Sequence, residues 1–389
     1  MKMKLQGLWA VVMREVNYAI HDTDILIIAL VMPMFYAFFY GSLYWQKGEH
    51  DVPVVIVDLD HSVTSKTLIR QLDAHQYIHI SEELPDLGTA KERLEKFDAQ
   101  GVVFIPQKFE ASLKSGKGAD IKLYLNTTRF LVSNDINKGV NEVVQTVAAG
   151  IRVRYFQMQG YSFEQAKELM EPLHIEIKPM FNTTETYGDF LIPALLALIL
   201  QQTLLMSIAE TFAKERETKT LGKLFTLSNN SIWGLMNGKG AFYFILFAAY
   251  SFFFFTVDFS IFKIPFRGNP FALTALTILF LLAVIYLGVF IASFFKRKII
   301  ALQVLAFTSY PIFLSSGYSW PMQAMPLPLQ TLAQFYPITP FLAGYTRIAQ
   351  MGAAWGDVTK ELLHLFILVV IGFIASHWRM KVVIQKEFV

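Results

Sequence analysis

The chain has 389 residues, 54% hydrophobic and 15% aromatic but only 17% charged, below the roughly 25% charge of soluble domains, so its class is that of a membrane protein. A net charge of +3 gives no reason to invoke nucleic acid as a partner. The absence of cysteine excludes disulfide frameworks, thiolate catalysis and cysteine-bound zinc.

Residues 1–24 form an N-terminal cytoplasmic or interfacial segment. Within it Leu5, Leu8, Trp9, Val12, Val16 and Ala19 recur at roughly helical spacing. That stripe predicts a helix lying along the inner leaflet, the plainer alternative being an early start to the first spanning helix. Residues 25–45, ILIIALVMPMFYAFFYGSLYW, are the first run long enough to cross, since a hydrocarbon core needs about 20 apolar residues. Pro33 interrupts it, which spanning helices tolerate when neighbours satisfy the freed carbonyl. The run exceeds the ~7–15 residues of a signal-peptide core and no small-x-small cleavage site follows, so it is expected to remain as an anchor.

Residues 46–186 look soluble and long enough for a domain. Strand-like runs at 52–57, 77–81, 101–106 and 121–126 alternate with helical ones, followed by helices at about 130–158 and 161–172. This alternation predicts an α/β sheet, with Ser62 and Thr89 at N-cap positions. Asp58, Asp60 and His61 in VDLDH offer metal-ligand chemistry, but Asp and His after a strand more often cap the next helix, which is the favoured reading. Neither a nucleophile elbow nor HExxH occurs, so an external hydrolase lacks its dyad. NTT at 126–128 and 182–184 matches the glycosylation sequon and is given no weight in a chain of bacterial character; protein contact is the expected role of the domain.

Further spanning runs follow at 188–210, 239–257, 271–295, 299–317 and 361–378. The expected fold is an α-helical polytopic membrane protein with six transmembrane helices and an α/β extracytoplasmic domain inserted between the first and the second. Lys and Arg mark the cytoplasmic side. With the N-terminus inside, that side holds Lys2, Lys4, Arg14, Lys214, Arg216, Lys219, Lys223, Lys239, Lys296, Arg297, Lys298, Arg379, Lys381 and Lys386, against Lys263, Arg267, Arg347 and Lys360 on the short outer connections. Both termini, including the tail 379–389, are therefore expected in the cytoplasm.

Ion-coupled carriers need ionisable groups at membrane depth. Here Asp189, Glu210, Asp258, Glu361 and His364 sit at the ends of runs. A bare channel would want a polar stripe or filter loop, and none is evident. GxxxxGK[ST] is absent as well; SGKGAD and NGKGAF lack its spacing. The chain is thus expected to be no enzyme and to bind no cofactor itself, with any ATP and Mg on a separate ATPase chain.

The dense charge of AETFAKERETKTLGKLFTLSNN, 209–230, falls on the cytoplasmic side. If 211–228 is one helix, Glu215 and Lys219 form an i,i+4 pair and Leu221, Leu224 and Phe225 share a face that could seat in a partner's groove. The alternative is a solvated extension of the second span. The stretch resembles the first cytoplasmic loop of the ABC-2 (type V) ABC transporter permeases, approximately E-R-E-x-G-T-[IL]-E-Q-L-L-V-[TS]-P. It matches at Glu215, Arg216, Glu217, Thr220, Leu221 and Leu224, and departs at Lys219, Gly222, Lys223 and Ser228. Gly238 and Lys239 resemble the glycine-basic pair opening the third span. Late in the chain, SSGYSWPMQAMPLPLQTLAQFYPITPFLAGYTRIAQ resembles the family's signature S-G-[FYL], M-P, L-Q, P-[LI]-T, R, through Ser316, Gly317, Tyr318, Pro321, Met325, Pro326, Leu329, Gln330, Pro337, Thr339 and Arg347. So many prolines preclude one continuous helix; short re-entrant helices over 318–350 are expected, with Arg347 near the outer headgroups.

The resemblance covers the membrane part, 187–378, and the large insert is characteristic of bacterial drug and lipophile exporters. It implies an inner-membrane permease powered by ABC ATPase subunits, paired with a second permease chain as homo- or heterodimer, and served by a periplasmic adaptor (membrane fusion protein) and outer-membrane channel. It implies that Glu215, Arg216, Glu217, Thr220, Leu221, Leu224 and Phe225 couple to the ATPase. A substrate path lined by spans two and five would use Gln201, Gln202, Thr203, Ser207, Thr308, Ser309, Ser315 and Ser316. The alternative class is a non-transporting receptor or scaffold whose external domain binds a partner.

Overall fold

The computed structural model describes residues 2–115, 118–170, 180–183 and 185–388. They form two compact units, residues 48–178 and residues 1–47 together with 179–389.

In the first unit, β1 (Val52–Asp58), β2 (Ile78–Glu83), β3 (Gly101–Ile105) and β4 (Lys122–Leu125) build one sheet in the order β2-β1-β3-β4. β1 runs parallel to β2 and β3, while β4 is antiparallel to β3. Parallel neighbours need crossovers; here the helices Val63–Asp73 and Leu87–Glu95 supply them. β1 is central and covered on both faces, which explains its unbroken VPVVIV run. Val54, Ile56, Val103 and Ile105 pack with Leu68, Leu72, Ile136 and Val140; Val55, Val57 and Val102 pack with Ala90. The four expected strands match the observed ones within two residues.

Ser62 caps its helix, accepting from the Ser65 N–H at 3.1 Å. The other expected cap is corrected: Asp86, not Thr89, occupies that position, accepting from the Thr89 N–H at 3.0 Å. Its carboxylate reaches the orphan donors that Thr89, already inside the first turn, cannot. Asp58 accepts from the Ser65 hydroxyl (2.6 Å) and the N–H groups of Asp60 (2.9 Å) and His61 (3.1 Å). Asp60 accepts from the Glu110 N–H at 3.0 Å. Asp58, His61 and Glu83 do converge, but the one buried carboxylate among them is fully bonded, so the group closes a turn. The helices Phe130–Met158 and Phe163–Met170 follow; the expected end of the latter, 171–172, lies outside the described residues.

The second unit holds six helices long and apolar enough to cross a membrane: Thr23–Leu43, Tyr187–Glu217, Ile232–Ile261, Pro270–Ala292, Lys298–Ser315 and Trp355–Lys386, spans one to six. Span two is the central one. Its apolar stretch is 83% buried, against 17% for span five and 11% for span six. In span one, Leu26–Val31 is π-helical, and this widened turn absorbs the carbonyl that Pro33 leaves without a donor. Residues of the expected tail, 379–388, continue the last helix to Phe388. Nothing in HWRMKVVIQKEF breaks a helix, and Met380, Val383 and Ile384 are buried at helical spacing.

After span five the chain behaves as its prolines require. Gly317 has φ +87°; a 3-10 turn spans Met322–Ala324, and short helices span Leu327–Ala333 and Ile338–Tyr345. Pro326 and Pro337 stand at the two helix starts. The second helix is buried except at Ala343, with Phe341 stacked on Phe280 at 4.1 Å.

Candidate functional site

The helix Lys2–His21 (α1 here) packs along span three. Its buried face is Val11, Val12, Glu15 and Ala19, while Trp9 stays 62% exposed beside Met13 and Ile20. Of the apolar stripe read from spacing, Val12 and Ala19 are buried and Leu8 and Val16 half-buried, whereas Trp9 belongs to the outer face; the side chain of Leu5 lies outside the described residues. A carboxylate sits in the middle of the buried face, so the opposite charge must come from elsewhere.

It comes from Lys239 of span three, with Arg14 of α1 alongside. Wholly buried Lys239 lies 2.7 Å from Glu15 and 3.5 Å from Glu215. Arg14 donates to Glu215 at 2.6 Å and lies 3.5 Å from Glu15. The Thr220 hydroxyl also donates to Glu215. Two acids and two bases thus form a neutral cluster joining α1 to spans two and three. Burial opposes the charge on Arg14, but its hydrogen bond and attraction to Glu215, with Glu15, outweigh this and raise its pKa above the ordinary arginine value. Gly238 makes the cluster possible: a Cβ there would lie 2.7 Å from Val11 Cβ, so a larger residue would push α1 away from Lys239.

The remaining charges at the end of span two are also engaged. Arg216 donates to the carbonyls of Ser293 (2.7 Å) and Phe295 (2.8 Å), beyond the end of span four. Glu217 accepts from the Lys298 N–H at 3.0 Å, at the start of span five, where a helix N-terminus favours an anion. Lys214 pairs with Asp22, and Lys298 with Asp24. Buried Glu210 is 3.9 Å from Lys298. Asp22, Asp24 and Glu210 lie close enough together to share a metal ion, yet the two lysines already supply the countercharge.

Residues 211–228 are accordingly not one helix. Span two continues to Glu217, Lys219 takes φ +57°, and a separate helix, α2, covers Leu221–Leu227. The expected Glu215–Lys219 pair is absent, because Lys219 lies beyond the helix end while Glu215 turns inward. Leu221 and Leu224 are buried in the unit's own core, with Phe225 at its edge. What this region presents to solvent is Glu217, Thr218, Lys219, Lys223, Thr226, Asn229 and Asn230, with Leu227 at 38% and Trp233 at 42% exposure. Sequence reasoning missed Glu15 and, although it marked Lys239 beside Gly238, did not place that lysine inside the protein. The available signal was that residues 11, 15 and 19 fall on one helical face, with Glu15 its sole charge.

The polar residues read as a path are mostly structural links. Gln201 accepts from the Ile338 N–H at 2.9 Å, capping the helix Ile338–Tyr345, and Gln202 donates to the Leu305 carbonyl of span five. Thr203 and Ser207 bond carbonyls one turn back. Thr308 bonds the carbonyls of Val304 and Leu305, and Ser315 those of Pro311 and Ile312; Ser309 is half-buried beside them. The outer face of span five exposes Gln303, Phe307 and Tyr310. In the late segment, Ser316 donates to the Phe313 carbonyl at 2.7 Å. The Tyr318 ring stacks on Phe190 at 4.8 Å and its hydroxyl donates to the Phe190 carbonyl. Gln330 donates to the Met325 carbonyl at 2.8 Å. Pro321 precedes the 3-10 turn, Thr339 is buried, and Arg347 pairs with Glu361 at 2.9 Å.

Comparison with known proteins agrees with this architecture. A family model described as ABC-2 family transporter protein matches residues 24–378. The linearmycin resistance permease protein LnrN of Bacillus subtilis (strain 168) is 24% identical over 349 residues, covering 85% of this chain and 88% of that protein. The probable multidrug ABC transporter permease YbhR of Escherichia coli (strain K12) is 22% identical over 372 residues, covering 92% and 94%. With six apolar helices of spanning length and a family match over most of its length, this multi-pass membrane protein belongs to the ABC-2 family of transporter proteins.

Proposed function

We propose that the chain is the permease subunit of an ATP-driven exporter that moves a lipophilic, drug-like or lipid-like substrate out of the cytoplasm or inner leaflet of a bacterial inner membrane. The printed names of the two relatives, a resistance permease and a probable multidrug permease, support this substrate class. ATP and Mg belong to separate ABC ATPase subunits. Both termini are cytoplasmic by the Lys/Arg distribution, and residues 48–178 lie across the membrane, where a periplasmic adaptor and an outer-membrane channel would receive cargo.

The observation that carries the proposal is the charged end of span two. Its side chains bind α1 and the ends of spans three, four and five at once. A displacement applied beneath the membrane at α2 therefore reaches most of the unit as a rigid-body movement. Glu215, Arg216, Glu217, Thr220, Leu221 and Leu224 act as the inner half of this joint, with Phe225 at its edge. The outer half, meeting the ATPase, is Lys219, Lys223, Leu227 and Trp233, an apolar centre rimmed by two lysines beside the exposed edge of Glu217, which suits a pocket with a mainly acidic rim.

Two permease chains pair along span five. An exposed Gln303 and Tyr310 in a spanning helix are poorly served by lipid, which supports a second chain or the transport path against that face. Co-purification of the chain with its ATPase tests the reading. Lys223→Glu and Leu227→Asp are expected to abolish the complex without changing the permease's own thermal unfolding. A permease that never retains an ATPase, while its external unit captures a partner, would establish the receptor alternative instead.

A further inference from the structure

An open apolar groove runs along span one and is used by nothing in the transport reading. Val31, Phe35, Phe38 and Trp45 line it from the first span and the turn after it, and Ile261 and Phe262 line it from the end of span three. One glycine sets its floor: a Cβ on Gly41 would fall 2.1 Å from the Phe262 ring, so only glycine lets that ring lie across the helix. Trp45 meets the same ring edge-on at 5.7 Å. Phe35 is 58% exposed and Trp45 61%, so the groove opens sideways, as a lipid-accessible groove must. Val31 and Leu43, the last residue of span one, are separated by roughly 18 Å of helix at 1.5 Å per residue, enough for the ~15 Å hydrocarbon depth of one leaflet.

The polar chemistry lies at one end only. Ser42 spends its hydroxyl on the Phe39 carbonyl at 2.9 Å, so the lining suits a chain without hydrogen-bonding groups. Lys263 directly follows Phe262, with φ +51° and an exposed side chain. Lys47 donates to its carbonyl at 2.8 Å and spends its own charge on Asp189 at 2.6 Å. Among the described residues no carboxylate pairs with the Lys263 ammonium, and exposed Arg267 adds a second cation to the same loop. An apolar slot of leaflet depth ending in uncompensated positive charge fits an amphiphile with one anionic end.

We infer that this groove is a binding site for an anionic phospholipid, one acyl chain lying against Phe35 and Phe38 and the headgroup phosphate meeting Lys263. The test uses the full chain in nanodiscs with phosphatidylglycerol carrying a photoactivatable diazirine in its acyl chain, labelled positions being read by peptide mass spectrometry. Labelling is expected to concentrate on 31–45 and 261–262 rather than on the equally exposed Leu363, Phe366 and Trp378 of span six. Lys263→Glu, and the milder Lys263→Gln, should lower it, by about fivefold for each lysine charge facing anionic lipid, and phosphatidylcholine carrying the same diazirine should label it weakly. Uniform labelling of all exposed spans would mean boundary lipid only and would overturn the assignment, as would labelling indifferent to Lys263. Efficient disulfide formation between copies of a Phe38→Cys chain would also overturn it, by making the groove a contact between chains.

Discussion

Lys239 shows how much a single side chain can carry in this molecule. Its ammonium is wholly buried against Glu15 and Glu215, with Arg14 as the other base. Removing one member of a buried ionic cluster leaves an uncompensated charge and typically costs about 3–5 kcal/mol, whereas replacing a pair by apolar groups is often neutral. Lys239→Met should therefore destabilise the chain strongly in denaturant titrations in detergent. The double variant Glu15→Gln/Lys239→Met should recover most of the loss. If the single substitution leaves unfolding unchanged, the cluster does not hold α1 to spans two and three. From sequence, Lys239 reads as a cytoplasmic charge in a glycine-basic pair and Glu215 as part of a docking helix, while Glu15 carries no mark. Their actual partners are some 200 residues apart in the chain, a relation that local spacing does not encode.

At the scale of elements, the contact between α1 and span three depends on close approach at Gly238 and Val11. Gly238→Val should overpack this contact, costing about 1–3 kcal/mol, and expose α1 to protease. The ATPase is expected still to co-purify, because α2 keeps its outer face, while ATP-driven export falls; export at the parental rate would show that α1 is not in the transmission route. Elements governed by local chemistry were legible beforehand. The strands of VPVVIV and GVVFI, the cap at Ser62 and the broken helices among Pro321, Pro326 and Pro337 all follow from backbone restriction and periodicity. The break at Lys219 was not, because a lysine in the left-handed region carries no sequence mark; its position is imposed by burial of Leu221 and Leu224 on one side and Glu215 on the other.

For the molecule as a whole, the exporter proposal requires both ends of the chain on the cytoplasmic side and residues 48–178 on the other, as six spans with an insertion after the first would give. The cysteine-free chain lets single cysteines test this directly. Lys91→Cys in the α/β unit should react with a membrane-impermeant maleimide in cells whose outer membrane alone is permeabilised. Lys223→Cys should react only after the inner membrane is opened. Reversed labelling would place α2 away from any cytoplasmic ATPase and end the exporter proposal.

Composition, run length and proline placement by themselves determined that this is a multi-pass helical protein with an α/β insert and a broken segment late in the chain, because hydrophobic burial and backbone geometry act locally. Only the tertiary structure decided which way the charged end of span two faces. The energy of a buried ion depends on what distant helices bring within a few ångströms, and that packing turned an expected docking surface into an internal joint, leaving Lys219, Lys223, Leu227 and Trp233 as the face it offers outward.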